Sequence, residues 1–306
     1  MPNATVLIPR RLRMSLRLLL PKNKSALLDS WPREPRVYHR GVTELDRAVP
    51  LSLMDEYVSF DLLSPQYVAA VKDGQAVHPG RFSRDGKMIP GKLQGLAGQG
   101  YTLNLREIQR TIPYLAGVSR DIQSETGCAN YAAAIITPPG KQGLRHHWDQ
   151  WTGVITQLAG RKRWPLWRPV VEYPMGAYMS SPEVWTPELT ERFATTPPDV
   201  EFELSPGDTL VVPRGWVHNP YSVSDDRSYH LTFALHERTR LWVAEKLIGL
   251  AIKDAHFRAE VPPSAFARET EAEIRKVRSL VICFLRQADT ATAAELIRKA
   301  AETENA

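Results

Sequence analysis

From Ala129 to His236 the chain is cut by glycine and proline into short apolar runs, a pattern of strands joined by tight turns. Ala132 to Thr137 ends at Pro138-Pro139-Gly140, Val154 to Leu158 ends at Gly160, and Arg163 to Trp167 follows. Val200 to Leu204 alternates apolar and polar residues. Ser205-Pro206-Gly207-Asp208 then supplies a turn into Thr209 to Pro213, and Tyr229 to Leu235 closes the series. Many short strands of this kind predict an antiparallel β-barrel or sandwich.

The flanks differ. Upstream, Ser64 to Lys72 predicts a short strand running into the turn Asp73-Gly74, and the spacing over Leu103 to Leu115 predicts a helix with Asn104 as its cap. Downstream, Leu241 to Lys253, Glu269 to Leu285 and Ala291 to Ala301 carry a helical period. Three regions are expected: residues 1–128 as a mixed N-terminal region packing on the barrel, 129–237 as the barrel, and 238–306 as a helical region suited to dimerisation.

Composition excludes several classes. The net charge of +5 permits a nucleic-acid partner without arguing for one. Much of the excess sits at Arg10, Arg11, Arg13, Arg17, Lys22 and Lys24, expected to form a solvated basic helix. Cys128 and Cys283 belong to no CxxC pair, so a disulfide framework and a cysteine zinc site are not expected. The run Leu18-Leu19-Leu20 stops at Pro21, too short for a signal-peptide core, and no stretch is apolar enough to cross a membrane. A cytoplasmic protein is expected. No Gly-x-Ser-x-Gly elbow appears.

The chemistry concentrates in two places. Residues two apart on a strand share a face, so His147 and Asp149 can point together into a barrel interior. An imidazole and a carboxylate converging in this way are two-thirds of the facial triad that suits non-heme Fe(II). His218 is the best third ligand, since Gly207 to Trp216 makes a turn, a buried strand and a second turn that deliver it at a strand end. Such a triad leaves room for a chelating 2-oxo acid and for O2. Lys162, one hairpin beyond Asp149, is the candidate cation for the acid's distal carboxylate. Trp148 and Trp151 are expected at the mouth, with Arg145 and Arg214 flanking the ligands as candidate substrate contacts. His146 should face away from the site. His230, His236 and the tryptophans at 164, 167 and 216 are expected to be structural.

These residues carry a resemblance. Thr137-Pro138-Pro139-Gly140-Lys141-Gln142-Gly143-Leu144, His147-Trp148-Asp149, Gln157 to Trp164, Gly207-Asp208 and Pro213 to His218 together resemble the JmjC family, in its cupin-4 branch of ribosomal oxygenases. The similarity continues at Ser228 to Thr232. It implies a mainly β fold, a double-stranded β-helix followed by helices. It also implies an Fe(II) centre on His147, Asp149 and His218, 2-oxoglutarate held by Lys162 with Thr232 as a second contact, and O2 as co-substrate. The implied activity is hydroxylation of an amino-acid side chain in a peptide or protein, with the β-carbon of histidine as the target. A ribosomal protein and a natural-product precursor peptide are the candidate substrates. Hydroxylation of a tRNA base and a non-catalytic metal-binding cupin sensor are the alternatives. Dimerisation through the C-terminal helices is implied as well. Two departures bear on the substrate: Thr152-Gly153-Val154 stands where relatives carry a pattern like Asp-Val-Phe, and the tail is short.

Overall fold

The computed structural model describes residues 15–20 and 30–304. Of the basic N-terminal cluster only Arg17 falls within them, exposed on the helix Ser15–Leu19. Arg10, Arg11, Arg13, Lys22 and Lys24 lie outside the described residues.

Among the described residues fourteen strands follow in chain order: β1 Arg36–His39, β2 Val68–Lys72, β3 Gln75–Ala76, β4 Ser83–Arg84, β5 Lys87–Met88, β6 Thr102–Leu105, β7 Ala129–Thr137, β8 Thr152–Ala159, β9 Lys162–Trp167, β10 Val200–Leu204, β11 Asp208–Val212, β12 Val217–His218, β13 Tyr221–Ser222 and β14 Ser228–His236. The major sheet has the order β1-β11-β8-β14-β7-β6-β2-β3. A minor sheet runs β10-β9-β12, with β13 also paired to β9. This is a double-stranded β-helix of the cupin kind, two antiparallel sheets with a core between them.

Alternation along β8 shows how the layers form. Val154 faces outward into a large core with Leu115, Val118 and Ile122 of the helix Pro113–Thr126. Its neighbour Ile155 faces inward to Trp164, Leu166, Leu204, Leu210 and Trp216. β14 carries a register shift between Tyr229 and His230. Tyr229 turns outward, its hydroxyl donating to the Val49 carbonyl at 3.0 Å, while His230 turns inward.

One expectation fails in the upstream flank. Leu103 to Leu115 is not one helix: it is β6, a 3-10 turn at Ile108–Arg110, and a helix that begins at Pro113. Leu103 and Leu105 pair with Ile136 and Ala134, so strand pairing overrides the local spacing, and Asn104 sits mid-strand opposite Ile135 rather than at a cap. Two short helices between β9 and β10, Ser181–Val184 and Pro187–Thr195, were not marked by an apolar period.

By contact the chain divides into two compact units. One comprises residues up to Thr126 together with Asn130–His236, and the other Gly127–Ala129 with Glu237–Ala306. The second unit is helical, with its longest helices at Thr270–Gln287 and Thr290–Thr303. Its surface exposes Ile252, Phe266, Ile274 and Ile282, at 69%, 70%, 60% and 44%. Among the described residues no helix is long and apolar enough to cross a membrane.

The N-terminal segment is tied to the major sheet by Arg40, whose side chain is fully buried. Its guanidinium donates to both Asp46 carboxylate oxygens at 2.5 and 2.8 Å and to Thr156 Oγ1 at 2.7 Å. Burial works to raise the Asp46 pKa, but the Arg40 hydrogen bond and the Thr43 amide outweigh it and bring it below its ordinary value. Removing one partner of such a pair leaves the other uncompensated. Arg40→Ala should lower unfolding free energy by about 3 kcal/mol in urea titration. A loss below about 0.5 kcal/mol would mean the pair does not hold this segment.

Candidate metal centre

The ligand segment is not a strand. Residues 141–150 are extended but join the sheet only through isolated bridges, one of them between His147 and His218. There the two histidines bond reciprocally through their backbones, at 3.2 Å from the His147 amide and 2.8 Å from the His218 amide. The alternation expected of a strand still holds over residues 146–149, so His147 and Asp149 face one side and His146 and Trp148 the other. Gly215, at φ 87°, makes the turn that lets its amide donate to the Asp149 carbonyl at 2.9 Å.

Each imidazole is fixed by a carbonyl two residues upstream. His147 Nδ1 lies 2.7 Å from the Arg145 carbonyl, and His218 Nδ1 lies 2.9 Å from the Trp216 carbonyl. A carbonyl oxygen can only accept, so both Nδ1 atoms carry a proton, and in the neutral form of each ring the lone pair lies on Nε2. His218 Nε2 stands 3.8 Å from Asp149 Oδ2, and the ligand atoms of His147, Asp149 and His218 all lie within 4.8 Å of one another. Burial, aided by His147, pushes the His218 pKa down to about 4, which keeps its imidazole neutral near pH 7. Two imidazoles with Nε2 turned to the site and one carboxylate, with outer hydrogen bonds orienting both rings, fit a divalent transition metal with open positions.

The ligands line a cavity of about 160 Å³, roughly five waters' worth of space. Lys162 is 1% exposed and reaches into it from β9. Its ammonium donates to Thr137 Oγ1 at 2.8 Å, and among the described residues no carboxylate pairs with it. Burial alone brings its pKa down to about 7. Three buried polar atoms around this cavity have no partner among the described residues: Trp164 Nε1, His230 Nδ1 and Asn104 Oδ1. Burial, with Lys162 and His218 adding to it, holds the His230 pKa well below its ordinary value. A cation, a hydroxyl and unpartnered polar atoms beside a metal site form a cradle for a small dicarboxylate.

Thr232 and Trp151 also line the cavity. Trp148 does not, and its expected place at the mouth is corrected. It is 2% exposed on the opposite side of the ligand segment, packed on Trp185 at 5.5 Å between ring centroids and grouped with Trp167, Phe193 and Val217. His146 stands on that side too, its centroid 4.9 Å from that of Trp167. Arg145 and Arg214 stand outside the lining. Arg145 is exposed and lies across Gly74, where a Cβ would meet its Cγ at 2.0 Å, and Arg214 covers the Tyr173 ring at 5.5 Å. Sequence reasoning missed Thr137, Tyr131 and Asn104 and took His230 and Trp164 as purely structural. The phase of β7 and β14 was the available signal. Thr137 shares a face with Tyr131, and His230 shares one with Thr232.

A double-stranded β-helix holding two histidines and a carboxylate at one cavity defines the metal-binding cupin-type class. Within it, residues 104–241 match the family model described as the JmjC domain. Among curated relatives, the bifunctional lysine-specific demethylase and histidyl-hydroxylase NO66 of Aedes aegypti is 29% identical over 50% of this chain and 23% of its own length. Ribosomal oxygenase 1 of Danio rerio is 26% identical over 79% of this chain and 44% of its own length. The chain thus spans less than half of either relative. Among solved structures, the ribosomal oxygenase YcfD of Escherichia coli with cobalt and 2-oxoglutarate superposes with a TM-score of 0.57. That match is 18% identical and covers 94% of this chain and 72% of YcfD.

Lys162 makes stability depend on pH in a defined direction. Its native pKa lies below its unfolded value, so between about pH 7 and 10.5 the unfolded chain binds a proton that the native state does not. Stability from this group rises with pH across that window and is lowest below it. Metal-free protein without added acid should gain ~2 kcal/mol over Lys162→Met on going from pH 7 to pH 9, in parallel urea titrations. Parallel pH profiles for the two proteins would show that Lys162 is not buried as a strained cation.

Proposed function

We propose that this chain is an Fe(II)- and 2-oxoglutarate-dependent dioxygenase that hydroxylates an amino-acid side chain in a peptide or protein. The observation that carries this is the pair of Nδ1-anchored imidazoles whose Nε2 atoms converge with Asp149 beside the buried cation Lys162. Bound there, Fe(II) with 2-oxoglutarate and O2 supplies the hydroxylating oxidant, the acid leaving as succinate and CO2.

The protein's own residues do the rest. His147, His218 and Asp149 would hold the metal. Lys162 and Thr137 would take the distal carboxylate of the acid, whose negative charge would favour the protonated ammonium. Thr232 and the unpartnered Trp164 Nε1 and His230 Nδ1, which line the same cavity, would offer the acid further polar contacts. Ile135, Leu144 and Pro220 keep water from the reacting centre.

The relatives named for ribosomal or histidyl oxygenation support a polypeptide substrate, and we take the β-carbon of a histidine as the target, in a ribosomal protein or a precursor peptide. Incubating the protein with Fe(II), 2-oxoglutarate and host peptides and proteins should produce a mass gain of one oxygen. His147→Ala and His218→Ala should abolish it while retaining the folded circular-dichroism spectrum. Full activity in either variant would sink the triad. Oxygen on a tRNA nucleoside alone would favour a tRNA base hydroxylase. Metal and acid binding with no succinate release on any substrate would favour a sensor.

We also propose a homodimer through the C-terminal helical unit, whose exposed Phe266, Ile274 and Ile282 exceed what a solvated helix surface needs. Light scattering at micromolar concentration should give twice the chain mass, and Ile274→Asp should halve it. A monomer in the unaltered protein would refute this. We place the protein in the cytoplasm, where Cys128 and Cys283, which form no disulfide, stay reduced.

A further inference from the structure

The cavity changes character from one end to the other. Along β7 the inward residues run Thr137, Ile135, Ala133, Tyr131, and along β14 they run His230, Thr232, Ala234. Lys162 and Trp164 stand at the Thr137 end. At the other end Trp151 stacks on His236, with centroids 4.0 Å apart and planes within 7°. Tyr131 meets both rings edge-on, at 5.8 and 5.7 Å.

Next to this aromatic wall the cavity floor is bare. Gly153, Ala234 and Ala133 come from the adjacent strands β8, β14 and β7, and Gly153 is the register partner of Ala234. Gly153 does not have a left-handed φ, so its backbone does not require glycine. A Cβ there would stand 3.0 Å from Ile155 Cδ1 and 3.8 Å from Thr232 Cγ2. Any larger side chain would occupy cavity space.

We propose that this outer compartment, walled by Trp151 and Tyr131 and floored by Gly153, Ala133 and Ala234, receives the side chain to be hydroxylated and selects an uncharged planar ring over a cation. The proposal rests on the oxygenase reading above. A ring gains edge and face contacts with the wall and fits a floor without side chains. A cation would gain a ring contact but lose its hydration. Asp149 is the one carboxylate among the described cavity-lining residues, and its charge is committed to the metal. Gly153 is then a specificity-determining position, since its missing side chain leaves the volume the ring fills.

The test uses full-chain protein loaded with Mn(II) and 2-oxoglutarate, and reads the paramagnetic relaxation of probe protons by NMR. Benzyl alcohol represents an uncharged ring and ethylguanidinium a planar cation. Benzyl alcohol should relax about tenfold more strongly than ethylguanidinium, the discrimination expected when a charge enters without a partner. Gly153→Val and Ala234→Val should each remove that enhancement. The rise in unfolding temperature on adding Mn(II) and 2-oxoglutarate should persist in both variants, which shows that they fold and hold the co-substrate. Equal or stronger relaxation of ethylguanidinium would overturn the proposal, as would silence from both probes or an unchanged benzyl alcohol signal in a folded variant. If Mn(II) and 2-oxoglutarate give the unaltered protein no thermal shift, the oxygenase reading itself fails, and that result is distinguishable from a failure of the probes.

Discussion

The site depends on two hydrogen bonds that never touch the metal position. His147 and His218 each give the Nδ1 proton to a carbonyl two residues back on their own segment, and their backbones bond to each other. Ring orientation and tautomer are therefore set by the course of the main chain, not by other side chains that substitution could remove. A neutral imidazole aimed by its own backbone needs no reorganisation when a cation arrives. The burial that depresses the His218 pKa acts in the same direction, because proton competition for Nε2 is weak near pH 7.

Lys162 shows the opposite economy. Nothing among the described residues neutralises it, and its one hydrogen bond goes to a hydroxyl. The protein without ligand therefore carries a cost at this residue that an anionic ligand relieves, so binding and local stability are coupled. The same holds for Trp164 Nε1 and His230 Nδ1, buried without partners. The inner half of the cavity is a set of unsatisfied groups, which a purely structural core would avoid.

Much of this was legible in the sequence. The runs at 154–158, 163–167 and 229–235 are strands because glycine and proline bound them and their apolar residues supply both cores. The ligand triad was legible because two-residue spacing survives in an extended segment that is not a ladder strand. β6 was not legible. Leu103, Leu105, Ile108, Ile112 and Leu115 are all buried, and their spacing suits a helix as well as a strand followed by a turn and a helix. Trp148 was misplaced because nearness in sequence to the ligands was allowed to outweigh the face it must occupy between them. The anchoring carbonyls of Arg145 and Trp216 left no mark in the sequence, since every residue has one.

The alternation along β14 has a consequence for how such a chain can change length. Tyr229, Leu231, Phe233 and Leu235 belong to the outer core, and His230, Thr232 and Ala234 between them face the cavity. One alternation thus runs unbroken along β14, and the register shift is absorbed on β8, where Leu158 stands unpaired between Ala159 and Gln157. Residues gained or lost in the loop before Ser228 change only the loop. One residue gained or lost between His230 and Ala234 would exchange lining for packing along the strand, turning Leu231 and Phe233 into the cavity. Natural length variation around this site should therefore collect in the turns, with the spacing from His230 to His236 held constant.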